Sequence, residues 1–226
     1  MYQELNDKGI RVGRSKVQRV MHDHGIKAQI KTKYKPQTTK ADPTEAAFEN
    51  LLNQDFTAQE FNKVWLADIT YVRVNSQWCY LASVLDLARR KVVGWALGTR
   101  PTAKLAGQAL TMAFVNEKPR EGLIHHSDRG SQYTAKDYKD LLKEYQMVGS
   151  MSRKGNPYDN APMESFYRIL KAEYIYKRSF ITIKHAASGL RKWFDYYNIR
   201  RRHSALGGIS PLMYEIRRYH PFGLSA

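Results

Sequence analysis

VWLADITYVRV, residues 64–74, is the stretch that decides the architecture. It is dense in β-branched and aromatic residues, as a strand should be, yet it carries Asp68 near its middle. A short charged side chain gains nothing from a half-buried pleated surface, so this acid needs a separate reason. Working outward, residues 78–87 form a second apolar run and 91–97 (KVVGWAL) a third, close enough in sequence for a meander. Residues 104–115 then place Leu105, Ala109, Met112 and Ala113 at helical spacing, 123–126 is a short apolar run, and 135–145 is again helix-like. The order is β-β-β-α-β-α, an α/β domain. Beyond a Gly/Asn/Pro loop at 152–160, Pro162 sits in the first turn of a helix expected to run to about Tyr176. A last long helix carries Ile183, Ala187, Leu190, Phe194 and Tyr197 on one face. Upstream, Val17, Val20 and Met21 mark a short helix with Ser15 as its cap and Gly25 as its end, and 31–43 reads as linker.

Across 226 residues, 37 Lys and Arg against 21 Asp and Glu leave a net charge of +16, which points to a polyanionic partner. The charge is unevenly spread. Residues 8–40 hold ten bases and one acid, and 177–218 hold ten bases and two acids, whereas 64–150 is nearly balanced at twelve against eight. Solvated helix surfaces compete with nucleic-acid contact as the reason, and the overall excess favours nucleic acid. The single cysteine, Cys79, excludes an internal disulfide framework and a Cys-based zinc site. No long uninterrupted apolar run and no basic-then-apolar leader is present, so neither membrane spanning nor secretion is expected.

Three carboxylates stand out. Asp68 lies inside a strand; Asp128 follows the short apolar run at 123–126, where open sheets place reactive groups; Glu164 falls in the first turn of the helix entered at Pro162. Each has a plainer reading as well. Asp128 suits a turn, and Glu164 complements a helix dipole. Asp86 closes the second apolar run, and Asp159 with Asn160 suits a helix cap. Helical spacing puts Arg168 and Lys171 on the face of Glu164.

The local words are more specific than any single acid. WLADITYV at 65–72, HSDRGSQY at 126–133, SRKGNPYDNAPMESF at 152–166 and YNIRRRHSALGGISP at 197–211 appear in that order. With Asp68, Asp128, Glu164 and Lys171, they resemble the Asp-Asp-Glu transposases of bacterial insertion sequences. The match is to the second-reading-frame catalytic protein of the large frameshifting group, whose core is similar to retroviral integrases. The resemblance implies a ribonuclease H-like fold: a mixed five-stranded sheet with flanking helices, preceded by a small basic helical arm and followed by a helical extension. The implied division is 1–40 arm, resembling part of a helix-turn-helix, 41–60 linker, 61–180 integrase core and 181–226 extension.

What the resemblance implies chemically is DNA strand cleavage at element ends, followed by attack of the freed 3′-hydroxyl on target DNA. Carboxylates suit the hard cations this needs, so Asp68, Asp128 and Glu164 are expected to hold two Mg2+ ions roughly 3.5–4 Å apart, with Mn2+ as a substitute and Asp68 bridging. Lys171, Arg168, Asn156, Tyr158, Asn160, Arg200, Arg201, Arg202 and His203 are the expected DNA contacts, and His125 and His126 packing residues. Expected partners are double-stranded DNA, meaning terminal repeats and target, together with further copies of the chain and an upstream helix-turn-helix protein or fused domain. The expected location is the nucleoid of a bacterial cytoplasm. Rival readings are an inactive DNA-binding regulator derived from such an enzyme and a ribonuclease H-like nuclease.

Overall fold

The computed structural model describes residues 1–27, 47–58 and 60–219. The chain divides into two compact units, Met1–Lys35 and Pro36–Ala226. The first contains α1 (Tyr2–Asp7) and α2 (Arg14–Asp23). Its cap is Gly13 rather than Ser15, which lies inside the helix, and α1 shows no apolar period by which to find it. Gly25 adopts φ +64°, the left-handed conformation that ends α2. The linker expected at 31–43 lies outside the described residues.

The second unit is built on a five-stranded sheet in the order β3-β2-β1-β4-β5. Its strands are β1 (Val64–Val74), β2 (Gln77–Asp86), β3 (Val92–Gly98), β4 (Ile124–Ser127) and β5 (Val148–Met151). β1–β3 form the antiparallel meander, and β4 and β5 add in parallel. The helices are α3 (Ala103–Glu117), α4 (Ser131–Thr134), α5 (Lys136–Glu144), α6 (Ala161–Glu173), α7 (Ile183–Ile199) and α8 (Pro211–Tyr219). α6 stops three residues before Tyr176 and continues only as a 3-10 turn, Ile175–Lys177. α7 is not the last helix, because α8 follows it. Within 41–60, the described residues 47–58 dock on β5: the Leu51 amide donates to Ser150 Oγ at 3.0 Å and the Met151 amide to the Glu49 carbonyl at 3.1 Å.

The period of two along β1 separates two cores. Val64, Leu66, Val72 and Val74 face one, formed with α6 and α7, whereas Trp65 and Ala67 face the other, formed with α3 and α5. Asp68 shares the parity of Leu66 and Val72, so alternation puts it on the α6 side. α3 lies close against β3 at Gly94, where an added Cβ would meet the Ala109 carbonyl oxygen at 2.2 Å. Only a residue without a side chain permits that approach.

Candidate active site

Asp68 and Asp128 are neighbours because of strand register. Parallel pairing sets Leu66 beside His126, and two residues further along each chain come Asp68 and Asp128. Both acids are half-buried at the carboxyl-end side of the central strands. Asp68 Oδ1 accepts the Ile69 amide at 2.7 Å, and Asp128 Oδ1 accepts the Gly130 amide at 2.9 Å in a turn. Burial pushes the Asp68 carboxyl well above the usual carboxylate range, Asp128 and Glu164 push it further, and the Ile69 amide and Lys171 oppose them. Burial likewise raises Asp128, against the Gly130 amide. Glu164, in the first turn of α6, is exposed but close enough for its charge to act on Asp68.

α6 is tied to β1 on either side of Glu164. Asn160, expected to face a terminal base, is buried, and its amide donates to the Ala67 carbonyl at 3.2 Å. Tyr167, unremarked in the sequence, donates its hydroxyl to the Asp68 carbonyl at 2.5 Å, with the Leu81 carbonyl at 3.3 Å. Two side chains of the helix thus hold two successive carbonyls of the strand. Lys171, about one turn further, lays its ammonium 3.7 Å from the centre of the Tyr71 ring on β1. Burial lowers the Lys171 pKa to about 8 while Asp68 opposes that shift, so the cation stands in the field of the acids. Arg168 is exposed.

The loop before α6 is braced from within. Asp159 does not cap the helix: it accepts Arg153 Nη2 and Gln54 Nε2 at 2.8 Å and Arg153 Nε at 2.9 Å, and these bonds draw its carboxyl far below the usual range. Asn156 accepts the Tyr158 amide at 3.1 Å and caps the 3-10 turn Pro157–Asn160, which leaves Tyr158 projecting at 70% exposure. His125 and His126 are buried, as expected of packing residues. His125 Nε2 meets the Tyr138 hydroxyl at 3.1 Å, and His126 meets Ser150 and Ser152 hydroxyls at 2.8 and 3.2 Å.

The basic run after α7 has mixed fates. Arg200 and Arg202 are exposed, Arg201 forms a two-point pair with Glu173 at 2.8 and 2.6 Å, and His203 is buried edge-on to Tyr197. A second charged cluster escaped sequence reading altogether. Arg89, 1% exposed, pairs with Asp86, Glu117 and Glu215, and so joins the β2–β3 turn to α3 and α8. Its partners Glu117 and Glu215 are 28 and 126 residues away, a separation that leaves no local signal.

Chemically, the site offers oxygen donors alone: an aspartate on β1, another just after β4 and a glutamate on a helix tied to β1. Among the described residues, no three His, Cys, Asp or Glu side chains close around one point. Oxygen donors of this kind suit a hard divalent cation such as Mg2+.

Known proteins are similar to this chain. Two integrase core domain models match residues 58–157 and 145–211, and an HTH-like domain model matches 1–34. The insertion element IS600 31 kDa protein of Shigella sonnei is 43% identical over 218 residues, which span 96% of this chain and 79% of that relative. The chain belongs to the insertion-sequence transposases. The transposase InsF of IS3A from Escherichia coli strain K12 is 40% identical over 213 residues, covering 94% and 74% of the two chains. This transposase also shares the fold of the HTLV-2 integrase catalytic core solved in complex with magnesium, at a TM-score of 0.54 and 15% identity, covering 67% of this chain and 94% of that one. It is a polynucleotidyl transferase of the Asp-Asp-Glu type with a ribonuclease H-like core. Among the described residues of the transposase, no helix is long and apolar enough to cross a membrane.

Proposed function

We propose that Asp68, Asp128 and Glu164 are the catalytic carboxylates of this transposase and that together they hold two Mg2+ ions, for which Mn2+ substitutes. The observation that carries the reading is the register of β1 and β4, which sets Asp68 beside Asp128 while the charge of Glu164 reaches Asp68 from α6. In this partly buried place the charges of Asp128 and Glu164 raise the proton affinity of Asp68, and divalent cations relieve that repulsion. When bound, the ions activate the attacking oxygen and neutralise charge on the leaving one.

The chain's own residues do the rest. Asn160 and Tyr167 hold the glutamate helix at a set distance from Asp68. Lys171, braced on Tyr71 beside the acids, takes a phosphate adjacent to the reacting bond, and Arg168 takes the next on the same helix face. In the first step a water oxygen attacks a phosphodiester at the element end, and the 3′-oxygen leaves as a hydroxyl. In the second that hydroxyl attacks a target phosphodiester, forming one P–O bond and breaking another. Exposed Tyr158, Arg200 and Arg202 contact DNA outside the acids. Paired element ends require more than one copy of the chain.

The test is a strand-transfer assay with a labelled terminal-repeat oligonucleotide, target DNA and Mg2+ or Mn2+. Asp68→Asn, Asp128→Asn and Glu164→Gln should each abolish joined product while the proteins keep their unfolding transitions. Full activity in any one of them removes that residue from the site.

A further inference from the structure

Beside α6, against Pro162, Ser165 and Ile169, lies a cavity of about 540 Å³ whose lining includes none of the three carboxylates. Ile169, which lines it, projects about 140° round the helix from Glu164 at 3.6 residues per turn. Its volume falls within the roughly 300–1,000 Å³ range of small-ligand sites. Its lining includes Phe56, Ile169 and Tyr197 together with Arg90 and Arg202.

Two features of the lining call for an occupant. Arg90 is half-buried, adopts φ +55° in the β2–β3 turn, and makes no hydrogen bond or ion pair among the described residues. A non-glycine residue in the left-handed region is strained, and such strain concentrates at binding sites. His203 is 6% exposed, and its Nε2 has no partner among the described residues. A guanidinium without a hydrogen bond among the described residues, with the charge of Asp86 acting on it, and a buried ring nitrogen without a partner together suit an anionic, hydrogen-bonding group. The aromatic and aliphatic side chains lining the cavity suit a base.

We propose that this cavity seats one unpaired nucleotide of a DNA strand, its phosphate on Arg90 and its base against Phe56, Ile169 and Tyr197. The inference rests on the DNA-joining function above and adds a subsite to it. A strand held there lies against the helix that carries Glu164, so its capture bears on DNA placement and not on bond making.

The experiment uses the full chain and a fluorescent single-stranded oligodeoxynucleotide, with 5-iodouracil at successive positions for photo-crosslinking. Arg90→Glu removes the anion contact. Ala205→Trp, at an exposed residue lining the cavity, fills it without altering charge. Each variant should bind the oligonucleotide roughly tenfold more weakly, as loss of one stacked, phosphate-anchored base implies. Crosslinks should map to peptides containing Phe56 or Tyr197, while Glu164→Gln keeps both affinity and crosslinks. Wild-type affinity in Ala205→Trp, or crosslinks confined to other peptides, overturns the proposal. So does saturation of the cavity by free thymidine 5′-monophosphate that the oligonucleotide fails to displace. These readouts need no catalysis, so an active Glu164→Gln enzyme would defeat the carboxylate assignment while leaving the cavity to be decided by its own crosslink map.

Discussion

The Tyr167 hydroxyl, three residues beyond Glu164 on α6, donates to the backbone carbonyl of Asp68 on β1 at 2.5 Å. The bond joins the backbones of two proposed metal-binding acids through a group that binds no metal itself. Tyr167→Phe keeps the buried ring and removes the hydroxyl that reaches the Asp68 and Leu81 carbonyls, at a cost of about 1 kcal/mol. The expected result is a slightly lower denaturation midpoint, slower strand joining and a higher Mg2+ concentration for half-maximal Mg2+ binding by calorimetry. An unchanged Mg2+ titration would show that packing alone seats the helix.

Arg89 is the most consequential charge outside the site. It is 1% exposed and surrounded by Asp86, Glu117 and Glu215. Removing the cation strands the buried Asp86 and leaves Glu117 and Glu215 to Lys91 alone, and breaking a buried pair typically costs about 3–5 kcal/mol. Arg89→Met should therefore lower the urea midpoint sharply. Glu215→Gln, which leaves two acids on the arginine, should cost clearly less, and equal losses would argue against a shared network.

Acid should weaken the fold through the paired histidines of β4. Burial holds His125 at about 3 and His126 at about 4, against roughly 6.5 in an unfolded chain. As pH falls below about 6.5 the unfolded chain takes up protons that the folded chain refuses. The stability they contribute is complete above that value and declines toward pH 4. For His126 the full loss is of the order of 3 kcal/mol. Urea denaturation at pH 7 and pH 5 should show a steeper loss for the wild type than for His126→Asn, and parallel losses would dismiss the histidine.

Gly94 is where β3 meets α3. A methyl group there would lie 2.2 Å from the Ala109 carbonyl oxygen and 2.6 Å from the Ala113 nitrogen, both backbone atoms that cannot swing aside. Gly94→Ala should cost about 1–3 kcal/mol or more by overpacking, read as a fall in melting temperature. A wild-type melting temperature would mean that α3 shifts freely on the sheet.

Much of this molecule was legible along the chain. The meander, α3 and the first parallel strand follow from apolar periodicity, and β1 announced Asp68 because an acid in a strand contradicts local preference. β5 went unread because the four residues Val148–Met151 include glycine and serine and show no alternation. The helix after 135 was readable, whereas α1, short and polar, and α8 were not. Asn160 read as a DNA contact because loop amides often are. Its burial against Ala67 depends on a strand 93 residues earlier.

By itself the sequence determined the β-β-β-α-β-α order of the core, the three candidate acids and the excess of positive charge, because periodicity, motif spacing and composition are properties of the chain in one dimension. Only the tertiary structure decided that Asp68 and Asp128 share a register, that Asn160 and Tyr167 fasten the Glu164 helix to β1, that Lys171 rests on Tyr71, and that Arg89 is encircled while Arg90 next to it faces a cavity. Adjacent arginines met such different surroundings because burial and charge pairing depend on which distant segments arrive at a point, and that is set by packing around the sheet.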